Sequence, residues 1–103
     1  LGDVLQLGAL SLDTRTREVS IADRVEALPP REVAILEMLL RRAGRVVPKQ
    51  LVEDHLFGLS AEGGANAIEV YVHRLRRFLD ASGSGLRVHT VRGVGYMIAA
   101  SAG

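Results

Sequence analysis

Cysteine is absent from the 103 residues. That excludes disulfides and thiolate metal sites and fits a reducing cytoplasm. Long apolar runs are also missing. Nothing approaches the roughly 20 residues needed to cross a bilayer, so no membrane partner is expected. No charged-then-apolar segment of secretory type opens the chain. Net charge is close to absent, at +1, and by itself indicates no polyanionic partner. Catalytic constellations are missing too. His55, His73 and His89 lack metal-ligand spacing, and no H-E-x-x-H occurs. Ser84 lies in Gly83-Ser84-Gly85, without a G-x-S-x-G frame. No enzymatic activity, metal or cofactor is expected. The chain opens on Leu1-Gly2-Asp3 without an initiator Met, and is expected to be a piece of a longer protein.

What is present is an apolar content of 48%, enough for one domain with one core. The charges are unevenly placed. Residues 1–63 carry 8 Lys+Arg against 10 Asp+Glu, whereas residues 64–103 carry 5 Arg against 2 acids. The positive excess therefore sits in the last two-fifths of the chain, a local asymmetry that bears on nucleic acid more than total charge does. It coincides with one segment, Glu69 to Ala81. At 100° per residue, Ile68, Val72, Leu75 and Leu79 fall within about 60° of one another. That stripe anchors a helix in a core. Asn66, Val70, His73 and Arg77 lie on the far side, with Arg74 at one flank and Arg76 turned partly towards the core edge. Cations, an amide and a branched methyl group on one face are the tools that read base edges in a major groove. A plain solvated face carrying a charge run has the same pattern.

The remaining elements can be read around this helix. Residues 4–28 alternate and are broken by polar turns at Asp13-Thr14-Arg15-Thr16 and Ala22-Asp23-Arg24. They predict three or four short antiparallel strands within an N-terminal sheet, 1–28. Three helices are expected within 29–81. Pro30 suits the first turn of the first, Glu32 and Glu37 early and Arg41-Arg42 late complement its dipole, and it should stop at Ala43-Gly44. Val46-Val47 reads as a short extended link. The second helix runs from Lys49 to Phe57 and closes at Gly58. Leu59 to Ala65 is a loop, and Asn66 is a suitable N-cap for the third helix, which Ser82-Gly83-Ser84-Gly85 ends. Arg87 to Val91 and Tyr96 to Ala99 flank a Gly-containing turn, predicting a hairpin within 86–100. The order is an α+β one: strands, three helices, hairpin. It describes a winged helix-turn-helix with an N-terminal antiparallel sheet and a C-terminal β-hairpin wing. In that motif the third helix occupies the major groove and the wing touches the neighbouring backbone or minor groove.

Asn66-Ala67-Ile68-Glu69-Val70-Tyr71-Val72-His73-Arg74-Leu75-Arg76-Arg77, followed by Val88-His89-Thr90-Val91-Arg92-Gly93-Val94-Gly95-Tyr96, closely resembles the effector domains of OmpR/PhoB-family response regulators. Leu28-Pro29-Pro30-Arg31-Glu32 and Gly44-Arg45-Val46-Val47-Pro48-Lys49 match the same family upstream. The resemblance covers essentially the whole chain and is greatest to the branch of the PmrA and QseB regulators. It implies sequence-specific binding of double-stranded promoter DNA and control of transcription in the bacterial cytoplasm. It further implies a homodimer on direct-repeat half-sites, and a receiver domain of the same full-length chain that a sensor kinase phosphorylates on an aspartate. Contact with RNA polymerase through the 59–65 loop, where Glu62 is the only charge, is also implied. Pro29 and Pro48 depart from the family, which often has Thr and Ser there as helix caps. A missing cap costs about 1 kcal/mol.

Each candidate DNA-binding residue has a plainer alternative. The resemblance places Arg74 in the major groove, where a bidentate Arg–guanine contact is worth roughly 1–3 kcal/mol. His73 and Arg77 suit phosphate or mixed contacts. A thymine methyl or a neighbouring element would each explain an outward Val70. Asn66 suits capping and DNA contact alike. Tyr71 can pack or bind phosphate, and Glu69 can orient an arginine or simply be solvated. Lys49 opens a helix, where phosphate is attracted. Thr90 and Arg92 lie on the wing, and the resemblance implies that a wing arginine enters the minor groove, favoured at A·T-rich steps. Gly93 and Gly95 read as turn residues. The competing hypothesis is a winged module that docks another protein through its arginine face without binding DNA.

Overall fold

The structure, a computed structural model, describes residues 3–58 and 64–101, the side chains of 64 and 65 excepted. Four short strands come first: β1 (Val4–Leu7), β2 (Leu10–Asp13), β3 (Val19–Ile21) and β4 (Arg24–Glu26). They form an antiparallel meander in chain order. Its register aligns Leu5, Leu12 and Val19 in one row and Leu7, Leu10 and Ile21 in the next. Successive side chains alternate between faces. Leu10, Leu12, Val19 and Ile21 are accordingly buried, while Gln6 and Val25 meet solvent.

Helix α1 (Pro30–Arg41) packs its Val33, Ile35, Leu36, Leu39 and Leu40 into the core. Pro29 holds the N-cap position without a side-chain hydrogen bond. Glu37 ties this helix to the sheet region. It accepts hydrogen bonds from Arg17 and, one turn on, from Arg41. Burial alone would push the Glu37 carboxyl up, but these bonds and charges outweigh it and hold it below the usual value. Such a group stabilises the fold above its unfolded pKa, and the gain is lost as pH falls through the lower folded value. The gain is modest, because the Arg17 and Arg41 side chains are 41% and 52% exposed.

The segment Val46-Val47 is more than a link. Val47–Pro48 forms a strand, β5, paired with the last strand of the chain. A single apolar pair offers no alternation from which to infer a strand, and the pairing is long-range. Pro48 is tolerated because β5 lies at the edge of its sheet. Helix α2 (Lys49–Phe57) follows and ends at Gly58. Helix α3 (Gly64–Ala81) begins before Asn66, so the expected capping role of Asn66 is corrected. A cap needs non-helical backbone, and Ala65, the best helix former, lets the helix extend past that position. Strands β6 (Leu86–Val91) and β7 (Gly95–Ala100) complete the wing in a three-stranded sheet ordered β5-β7-β6. Ser84 is buried and spent on structure. Its hydroxyl donates to the Leu79 carbonyl at 2.9 Å and accepts from the Leu86 N–H at 3.1 Å, closing α3 and starting β6.

Gly95 shows how tightly the wing is seated. A Cβ there would meet the Val47 carbonyl oxygen at 2.0 Å, whereas at Gly93 it would meet open space. Gly93 is a turn residue at φ +77, between the paired Val91 and Gly95. Gly95→Ala is expected to cost about 2 kcal/mol or more through overpacking, and Gly93→Ala about 1 kcal/mol through backbone strain alone. Thermal unfolding of both variants checks this, and equal losses would contradict the close approach of β5 to β7.

Candidate nucleic-acid interface

The predicted stripe of α3 is the centre of the core. Ile68, Val72, Leu75 and Leu79 are each no more than 1% exposed. Fixing one face of a helix fixes the direction of the others. Asn66, Glu69, His73, Arg74 and Arg77 are exposed, and Val70 stands 45% exposed among them. Single exposed apolar side chains are common, and Val4, Val25, Leu51 and Val94 are exposed as well, so it is the position of Val70 on this face that bears on function.

The two flanks of α3 are tied to different elements. On the wing side, Arg76 donates Nε to the Val88 carbonyl at 2.9 Å and Nη2 to the Thr90 hydroxyl. Arg76 therefore joins helix to hairpin, a role that its position at the core edge hinted at but did not identify. Thr90, expected at the interface, is exposed on the wing and accepts this bond. Nearby, the Lys49 ammonium lies 3.3 Å from the Glu69 carboxylate. Glu69 thus orients a cation, but a lysine rather than an arginine. A groove of about 320 Å³ runs between these groups and the wing tip, lined by Lys49, Glu69, Thr90, Arg92 and Val94 among others. Arg92 is exposed at the hairpin turn.

On the opposite flank, Tyr71 is half-buried, and its hydroxyl accepts a hydrogen bond from Arg31 Nη1 at 3.0 Å. The Arg31 guanidinium lies over the rings of Phe57 and Tyr71, at 5.4 and 5.5 Å from their centroids. Of the two roles open to Tyr71, packing is the one seen. The structure thus brings Val70, His73, Arg74 and Arg77 onto one surface, with Asn66 towards the start of α3. Lys49, Thr90 and Arg92 lie along its wing-side border, and Tyr71 sits at the far edge. Glu62 lies outside the described residues.

Glu32 was missed. The helix dipole accounts for an acid in the first turn, yet Glu32 is 1% exposed and its Oε2 has no hydrogen-bond partner. The signal was present in the spacing, because Glu32 continues the stripe of Ile35, Leu36 and Leu39. Burial raises its pKa, while Arg74, a hydrogen bond from its own backbone N–H and, least of all, Arg31 act in the opposite direction. The three histidines lie on separate elements, His55 on α2, His73 on α3 and His89 on β6. No group of three His, Cys, Asp or Glu suited to a metal occurs among the described residues. No helix among them is long and apolar enough to cross a membrane.

Arg76→Met keeps the stem of the side chain but removes both bonds to the wing. It should cost about 1–2 kcal/mol and speed amide exchange in β6. If the β6 amides keep their protection, the helix and wing are not coupled through Arg76.

Known proteins match this arrangement. Residues 23–98 fit the family model described as transcriptional regulatory protein, C terminal. The response regulator PmrA of Pseudomonas aeruginosa is 44% identical over 88% of this chain and 39% of its own length. The regulator QseB of Escherichia coli O157:H7 is 43% identical over 91% of this chain and 41% of its own. The chain therefore spans about two-fifths of the length of these relatives. Among solved structures, the Klebsiella pneumoniae RstA DNA-binding domain in complex with the RstA box superposes with a TM-score of 0.79. It is 28% identical, covering 93% of this chain and 96% of that one. By sequence and by fold, the chain belongs to the family of C-terminal domains of transcriptional regulatory proteins, with the winged-helix form of OmpR/PhoB regulators.

Proposed function

We propose that this chain is the sequence-specific, double-stranded-DNA-binding effector domain of a two-component response regulator, acting on transcription. The observation that carries this reading is the outer face of α3. Arg74, Arg77, His73 and Val70 stand exposed on a helix whose other face is locked in the core. The wing, tied to the same helix, offers Arg92 alongside. Helix α3 enters the major groove, where Arg74 reads a base and Val70 meets a thymine methyl. His73, Arg77, Asn66, Lys49, Thr90 and Tyr71 serve backbone or mixed contacts, and Arg92 enters the minor groove. The Klebsiella relative held on its DNA box supports this arrangement and disfavours the protein-docking alternative.

The wider protein belongs to the same proposal. A receiver domain in the same full-length chain, phosphorylated on an aspartate, would bring two copies onto direct-repeat half-sites in the bacterial cytoplasm. RNA polymerase would meet the 59–65 loop near Glu62. The relatives, more than twice as long as this chain and named as response regulators, support that reading.

Selection of bound duplexes from a random pool tests the central claim. It should enrich one motif, and affinity for it should fall steeply with salt as counterions return to the phosphates. Absence of duplex binding at low salt would favour the docking module instead.

Two substitutions separate the roles. Arg74→Ala should cost about 1–3 kcal/mol on the selected site and relax preference at one base pair, whereas Arg77→Ala should weaken all sequences and flatten the salt slope. A uniform loss in the Arg74→Ala protein would make Arg74 a phosphate contact. Arg92→Ala should reduce affinity most for sites with an A·T-rich flank, and an unchanged flank preference would remove the minor-groove assignment.

A further inference from the structure

Among the described cations of α3, the wing and the groove between them, Lys49 is the one held in an ion pair with an acid. Its ammonium lies 3.3 Å from the carboxylate of Glu69, whose side chain is 62% exposed. Glu69 is also the only acid between residues 66 and 77 of α3. An exposed ion pair contributes little to stability, and an acid on a surface that meets phosphates weakens that meeting. Its placement is particular. On the wheel Glu69 stands about 20° from Arg76, on the wing-side flank, and about 90° from the outermost line of α3. In a helix seated in a major groove the outermost line faces base edges, and a flank faces a wall of phosphates. Lys49 lines the groove between that flank and the wing tip. Its backbone N–H donates to the Val94 carbonyl at 3.0 Å, and the preceding Pro48 pairs with Gly95. The backbone of Lys49 is thus fixed to the hairpin and its ammonium to α3.

We propose that Glu69 is a specificity-determining residue that acts through Lys49: the pair withholds the lysine's charge from phosphates met at random and presents it to a phosphate only when α3 and the wing are seated together. The inference rests on the reading of Lys49 as a backbone contact in a DNA complex. Non-specific binding draws on cations through charge alone, so a neighbouring carboxylate cancels most of what Lys49 offers there. A fully seated complex has a phosphate at one fixed place. A lysine already held beside it loses little side-chain freedom on binding. Its ammonium carries donors enough for the carboxylate and a phosphate oxygen together. Glu69 touches no DNA in this account. It lowers affinity for every duplex, but least for the one that fits.

The test uses this chain with two probes, the duplex enriched from a random pool and a scrambled duplex of equal length. Glu69→Gln is made in the original and Lys49→Met backgrounds. All four proteins should melt at one temperature, because the pair lies at the surface. Glu69→Gln should raise affinity for the scrambled duplex more than for the enriched one. Discrimination should fall about fivefold, a coupling of the usual size for interacting side chains. Lys49→Met should lower affinity most for the enriched duplex, and in that background Glu69→Gln should raise both affinities equally. An equal rise on both probes in the original background would mean that Glu69 only subtracts charge, and would overturn the proposal. So would the same fall in discrimination in both backgrounds, because Glu69 would then act without Lys49. A Lys49→Met protein that keeps its affinity and salt slope on both probes would remove the phosphate contact, and the proposal with it, while the DNA-binding reading would stand.

Discussion

The recognition helix must be held rigidly on one side while its other side is left to water. Ile68, Val72, Leu75 and Leu79 satisfy the first demand by lying at the centre of the core. A hydrophobic stripe alone leaves a helix able to rock about its axis. The flanking bonds limit that freedom. Arg76 reaches the wing through Val88 and Thr90, and Tyr71 meets Arg31 of α1. The helix is therefore braced from both sides, and helix and hairpin form one surface. Pre-organisation of this kind reduces the ordering cost of binding.

The wing depends on the same arrangement from the other direction. Its last strand is clamped by β5, which approaches so closely that only glycine fits at position 95. Because β5 leads directly into α2, that clamp also places Lys49 at the edge of the groove beside Glu69. A two-residue strand thus couples the hairpin to the start of α2. Electrostatically, the cations of α3 and the wing are divided between support and display. Arg76 is consumed in holding the structure together, while Arg74, Arg77 and Arg92 remain exposed.

Much of this was legible in the sequence, for physical reasons that differ by element. The α3 stripe, the outward face and the hairpin turn follow from local periodicity and glycine placement, so they could be read residue by residue. The alternation in residues 4–28 predicted three or four short antiparallel strands, and four form the meander. What escaped depends on contacts distant in sequence. Val47–Pro48 is a strand only because β7 returns to it. Arg76 is a bridge only because the wing lies against it. Glu32 is buried, and its place on the apolar stripe was visible. Asn66 failed as a cap because the tendency of a single residue does not fix where a helix begins, and α3 starts at Gly64. The family resemblance supplied what spacing cannot, namely which exposed cations to regard as readers.

The central claim is that α3 and the wing act as one DNA-binding face. It is tested most directly by titrating the labelled chain with the selected duplex and following backbone amide shifts by NMR. The account predicts that residues 66–77 of α3 and 90–95 of the wing shift together, at the same DNA ratio, with the outer face of β1–β4 unmoved. Shifts concentrated on the β1–β4 sheet or on α1 and α2, with α3 and the wing silent, would contradict it.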